Sequence, residues 1–105
     1  MPSKYRSVKT TVKGITFDSK KEAYYYLALL QKQERGEIAN LLLQRKFDIL
    51  VNNIKICSYI ADFTYTSALG EHVVDVKSEV TKKLPVYRLK KKLMEAIYGI
   101  KIEEV

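Results

Sequence analysis

The segment YIADFTYTSALGEHVVDVKSE, residues 59–79, constrains the fold more than any other part of the chain. β-Branched and aromatic residues recur on both sides of SALG, which predicts two strands joined by a tight turn. With Ser67 to Gly70 as the turn, Thr66 faces Glu71, and counting outward sets Asp62 opposite Asp75. Side chains alternate along a strand, so Asp62, Asp75 and Lys77 share one face. Ala61, Phe63, Tyr65, Val74 and Val76 line the other, apolar face. A register shifted by two residues keeps the charged cluster together on a diagonal, whereas a shift by one breaks it. Strand interiors disfavour aspartate, and like charges facing across a ladder repel, so this placement needs a reason.

The rest of the chain supplies the elements around this strand pair. TTVKGITF alternates weakly around Gly14, as a short hairpin or an irregular lead-in. DSKKEAYYYLALLQKQERGE predicts a helix capped by Asp18 or Ser19, with Ala23, Tyr26, Leu27 and Leu30 on its buried stripe and Gly36 at its end. The aromatic run Tyr24 to Tyr26 belongs to packing around that helix. LLLQRKFDILV ends as a strand, and Asn52 and Asn53 predict a tight hairpin into IKICSYIADFTYT, because consecutive asparagines tolerate positive φ. Pro85 opens a second helix whose buried side is Val86, Leu89, Leu93, Ala96 and Ile97, with Gly99 as its stop. IKIEEV closes the chain as a short strand. The order helix, three-stranded meander, helix, strand predicts a small α/β fold built as one domain over residues 1–105.

Composition bounds the function classes. A chain of 105 residues can bury one modest core. It contains no apolar run of membrane-spanning length, and the polar, basic N-terminus has no signal-peptide pattern, so the expectation is a soluble, cytoplasmic protein without a membrane partner. The single cysteine, Cys57, excludes an internal disulfide and a cysteine-based zinc site, and reads as a small apolar strand residue. A formal charge of +7 points to a polyanionic partner. The cations are concentrated. Lys82, Lys83, Arg88, Lys90, Lys91 and Lys92 fall within eleven residues, and Lys4, Arg6, Lys9 and Lys13 form a flexible basic arm over residues 1–13. Such runs are also read as a solvated helix face and a disordered tail.

Two close carboxylates repel unless they share a proton or a cation. Mg²⁺ is commonly held by one or two carboxylates plus water and substrate phosphate, and a nearby lysine can orient a water or stabilise charge on a phosphate. The trio Asp62, Asp75 and Lys77 therefore suggests metal-assisted phosphodiester hydrolysis. An alternative stays open, in which the carboxylates sit on the solvated face of a meander with Lys77 paired to either one. Glu22 is similarly double. SKKE from Ser19 is a capping-box pattern that can occupy Glu22 entirely. Tyr87, Lys90, Lys91 and Tyr98 lie near one another on a helical face, to contact phosphates or bases or else to form a basic stripe over packed tyrosines. His72 lies with Val74 and Val76 and reads as a half-buried edge residue.

ADF, followed thirteen residues later by DVK and preceded by a helix opening in FDSKKEA, resembles the PD-(D/E)XK nuclease superfamily. The arrangement GITFDSKKEAYYY, LLLQRKF, YIADFTY, VVDVKS and YRLKKKLMEAIYGIKIEEV looks like a family of small phage and prophage proteins in that superfamily, related to Holliday-junction resolvases. The resemblance covers residues 4–105. It implies a restriction-endonuclease-like core, a central mixed sheet whose antiparallel three-stranded meander is flanked by two helices. It also implies that Asp62 and Asp75 are metal ligands, Lys77 the catalytic lysine and Glu22 a helix acid that helps hold Mg²⁺ or Mn²⁺, with Gln44 an auxiliary residue. Ala61 stands where the superfamily motif has proline, and QRKF stands where the phage sequences tend to read Gln-Pro-x-Phe. The expected function is a metal-dependent phage-type DNA endonuclease, with branched DNA as the substrate the resemblance suggests and Lys82, Lys83, Tyr87, Arg88, Lys90 and Lys91 on the nucleic acid. Cutting both strands of a duplex with one site per chain implies a homodimer. The competing expectations are a non-catalytic nucleic-acid-binding module on the same fold and a phage protein that binds a host factor.

Overall fold

Two pairs of consecutive residues with positive φ reverse the chain at tight turns. The computed structural model describes residues 9–105, so Lys4 and Arg6 of the expected arm lie outside the described residues. Lys13 and Gly14, at φ 50° and 79°, join β1 (Thr10–Val12) to β2 (Ile15–Phe17), so the end of the expected arm is a hairpin. Asn52 and Asn53, at φ 50° and 65°, join β3 (Ala39–Val51) to β4 (Ile54–Ser67). Paired left-handed residues twist a two-residue turn to match the strands, which is why glycine and asparagine occupy such positions.

Between the hairpins lies α1 (Lys20–Glu34). Ser19 caps it, its Oγ accepting the Glu22 N–H at 3.1 Å. The buried stripe is Glu22, Ala23, Tyr26 and Leu29. Leu29 completes it, because a stripe running through Glu22 and Tyr26 next returns at seven residues; Leu30 packs half-buried at its margin.

β5 (Gly70–Asp75) follows β4, then a 3₁₀ turn at Thr81–Lys83, α2 (Pro85–Tyr98) and β6 (Glu103–Glu104). The sheet order is β3-β4-β5-β6, antiparallel except for the parallel β5–β6 pair, so the architecture is α/β with a mixed four-stranded sheet and a separate two-stranded hairpin. Thr66 pairs with Glu71 as the turn count requires. α1 packs on one face and α2 on the other. Val73 and Val74 are neighbours on β5 and point to opposite faces. Val74 joins Phe63, Tyr65, Tyr26 and Leu29, whereas Val73 joins Phe47, Ile49, Tyr59 and Met94.

Three expectations are corrected. Alternation along β4 fails at Asp62: Phe63 and Tyr65 pack in the α1 cluster, but Ala61 packs with Tyr59 in the α2 cluster. The matching point on β3 is Gln44, at φ 54°, which interrupts the strand pairing between Leu43↔Phe63 and Arg45↔Ala61. β5 ends at Asp75, without reaching Lys77 and Ser78, because the Asp62 carboxylate accepts the Val76 N–H at 2.9 Å. Finally, of the apolar stripe expected on the buried side of α2 only Leu93 packs against the core. Met94 is fully buried, while Val86 and Leu89 are 65% and 58% exposed, and Ile97 and Ala96 are exposed too. Polar anchors set that rotation: the Tyr87 hydroxyl donates to Glu104 at 2.7 Å, Lys91 pairs with Glu104 at 3.0 Å, and the Tyr98 hydroxyl donates to the Asp48 carbonyl.

Candidate metal and nucleic-acid site

The expected carboxylate pair forms where β4 and β5 part. Asp75 is 1% exposed, and it is satisfied on both oxygens: Oδ1 accepts the Asp62 N–H at 3.1 Å and Oδ2 accepts the Tyr59 hydroxyl. In return, Asp62 Oδ2 takes the Val76 N–H. Each aspartate thus caps main chain on the other strand, replacing the ladder bonds that parting strands would lose. Each carboxylate oxygen keeps a further lone pair.

Gln44 and Glu22 close the site from β3 and α1. The left-handed conformation of Gln44 carries its amide to 3.4 Å from Asp62 Oδ1, a long contact. Glu22 lines a small pocket of about 150 Å³ with Asp18, Leu43 and Gln44. Only half of the capping box forms: the Glu22 N–H is held by Ser19, but among the described residues no hydrogen bond reaches the Glu22 carboxylate. Burial, then the charges of Asp62 and Asp18, push this carboxyl from its ordinary 4.5 up to about 7, against a smaller opposing pull from Lys77. Burial also raises Asp62, with Asp75 adding to the rise and the Val76 N–H and Lys77 opposing it.

Lys77 stands beside this group without an ion pair to it. Its ammonium lies 4.6 Å from the centroid of the Tyr87 ring. Its main chain is fixed twice, by its N–H to Val105 at 3.0 Å and by Lys21 Nζ to its carbonyl at 3.1 Å, so the first turn of α1 clamps the segment that carries it.

The structure therefore brings Glu22, Asp62, Asp75, Lys77 and Gln44 into one electrostatic neighbourhood. Among the described residues, however, no group of three or more His, Cys, Asp or Glu side chains is arranged to hold a metal ion. One member escaped sequence reasoning: Tyr59, three residues before Asp62, carries no pattern tying it to Asp75. Gln44 is expected through the resemblance, but its positive φ is not, since glutamine is not a residue type that signals it.

The basic residues divide between two surfaces. Lys82, Lys83, Arg88 and Lys91, together with Lys92, line a groove of about 360 Å³. Lys82 pairs with Glu79 at 2.8 Å and Lys91 with Glu104, while Lys83, Arg88 and Lys92 make no ion pair among the described residues. Tyr87 and Lys90 instead line a cleft of about 380 Å³ on the Lys77 side. Tyr98 does not join them, since its ring packs edge-on against Phe47 at 5.7 Å. His72 is half-buried as expected, with Nε2 2.6 Å from Ser67 Oγ and Nδ1 2.7 Å from Glu103, and its ring is stacked on Tyr65.

Among the described residues no helix is long and apolar enough to cross a membrane. No curated protein and no solved structure matches the chain. A family model described as "Protein of unknown function (DUF1064)" matches residues 2–103. The chain belongs to that family.

Proposed function

We propose that the chain is a metal-dependent DNA endonuclease of restriction-endonuclease-like fold, hydrolysing phosphodiester bonds at the Asp62–Asp75 pair, with branched DNA as the substrate the sequence resemblance suggests. The observation that carries this reading is the reciprocal bonding of the two aspartates where β4 and β5 part, beside a third acid raised to about 7. Three carboxylates against one lysine leave excess negative charge that a cation relieves. Hard oxygen donors suit Mg²⁺ or Mn²⁺, and one or two carboxylates completed by water and substrate phosphate are the usual protein share for Mg²⁺. Asp62 and Asp75 would hold the ion with Glu22 next to them, and a bound ion would polarise phosphate oxygens and acidify water there.

The chain's own groups supply orientation and charge. Tyr59 and the N–H groups of Asp62 and Val76 fix the carboxylates in place. Lys77 offers an ammonium to the charge that grows on the phosphate as water adds to phosphorus and the P–O bond breaks. The groove along α2 contacts phosphates without reading sequence. Cutting both strands calls for two copies of the chain.

Supercoiled plasmid or a synthetic four-way junction should be nicked with Mg²⁺ and left intact in EDTA. Asp75→Asn and Lys77→Ala, checked for folding by circular dichroism, should abolish nicking. Cleavage that survives Asp75→Asn would falsify the assignment. A second reading, a non-catalytic nucleic-acid-binding module, is favoured by Lys77 resting over the Tyr87 ring. It predicts salt-dependent DNA affinity indifferent to Mg²⁺ and no cleavage.

A further inference from the structure

β4 is bare along half of one edge. It pairs with β3 along most of its length, but pairing with β5 begins only at Phe63, and among the described residues no main-chain hydrogen bond is made on that side between Ile54 and Ala61. The first two turns of α2 stand opposite this edge, and the space between them is the 380 Å³ cleft. Its walls are apolar: Ile60, Leu84 and Val86 line it, and all three are exposed. Lys77 and Lys90 provide its charge, and Tyr59, whose hydroxyl bonds Asp75, connects it to the carboxylate pair.

We propose that this cleft binds an unpaired nucleotide, so that the DNA engaged by the chain is single-stranded at the point of contact. The proposal rests on the endonuclease reading only for what happens to the bound strand. Two ammonium groups match phosphates, while the aliphatic walls match the face of a base or a deoxyribose ring. Free N–H and C=O groups along the β4 edge can pair with the Watson–Crick edge of a base, an edge that a duplex keeps occupied. A second copy of the chain is the poorer occupant. A two-fold contact through this surface would set Lys77 and Lys90 close to their own copies, on a chain already at +7.

Fluorescence anisotropy in EDTA, with a labelled oligothymidylate and a blunt duplex of equal length, tests this. The expected result is tighter binding of the single strand. Val86→Glu, at an exposed position that burial does not protect, should weaken single-strand binding about tenfold and leave duplex binding nearly unchanged. Lys92→Glu, in the groove on the other side of α2, should weaken both alike. Equal losses for both ligands with Val86→Glu, or none for either, overturn the proposal. So does a wild-type dimer in sedimentation that Val86→Glu converts to monomer without changing oligonucleotide affinity. A nicking assay run in parallel separates this idea from the endonuclease reading: single-strand binding by the wild type without Mg²⁺-dependent cleavage removes the nuclease and keeps the nucleotide site.

Discussion

Tyr59 and Glu22 decide how the acidic cluster is tolerated. The Tyr59 hydroxyl is the only side-chain donor to the buried Asp75 carboxylate among the described residues, so Tyr59→Phe leaves one oxygen short of a partner. That loss should cost about 1–3 kcal/mol of unfolding free energy in urea. Glu22 works through pH. Its folded pKa, about 7, lies above the ordinary 4.5, so the folded state binds the proton more tightly than the unfolded chain does. Its contribution is fully present below about pH 4.5 and lost as the pH rises through about 7. Glu22→Gln should therefore leave the melting temperature nearly unchanged at pH 4.5 and raise it at pH 8. If the melting temperatures differ by the same amount at both pH values, the carboxyl does not titrate as described. Mg²⁺ should also raise the wild-type melting temperature more at pH 8 than at pH 5, because protons compete for the same oxygens.

Among the elements, hairpins and caps follow local chemistry closely. Ser19 caps α1 as its pattern requires, and the Asn52–Asn53 turn sets the β3–β4 register through Val51↔Ile54. Asn53 sits at φ 65°, where alanine is strained, so Asn53→Ala should lower stability by about 1 kcal/mol, whereas Asn53→Gly should not. α2 behaves otherwise. Its apolar residues recur at helical spacing, yet Val86, Leu89 and Ile97 remain exposed while Met94 and Tyr87 face the sheet. Helical spacing defines a stripe but not the direction in which the helix is rolled, and here bonds from Tyr87, Lys91 and Tyr98 to other elements choose that direction.

Across the whole molecule, the positive charge is split by α2 into a groove and a cleft. If both contact nucleic acid, the logarithm of DNA affinity should fall steeply with the logarithm of salt concentration. Arg88→Ala, which removes a groove cation that makes no ion pair among the described residues, should reduce that slope by about 1 in a fluorescence titration across salt concentrations. An unchanged slope would place Arg88 off the DNA path.

Much of this molecule could be read before it was folded. The turn at Ser67 to Gly70 dictated the β4–β5 register, and with it the meeting of Asp62 and Asp75, because antiparallel pairing is a counting rule once the turn is placed. Ser19, Pro85, Gly99 and the paired asparagines marked the element ends through backbone preferences that need no tertiary partner. Only the tertiary structure decided the remainder. It set Gln44 at positive φ within β3, moved Ala61 to the other face, ended β5 at Asp75 and brought the Tyr59 hydroxyl to that carboxylate. It also rolled α2 away from its apolar stripe, leaving a bare strand edge and a lysine-flanked cleft beside the acids. These outcomes depend on polar groups distant in sequence satisfying one another once buried, and no local periodicity encodes which partner each will find.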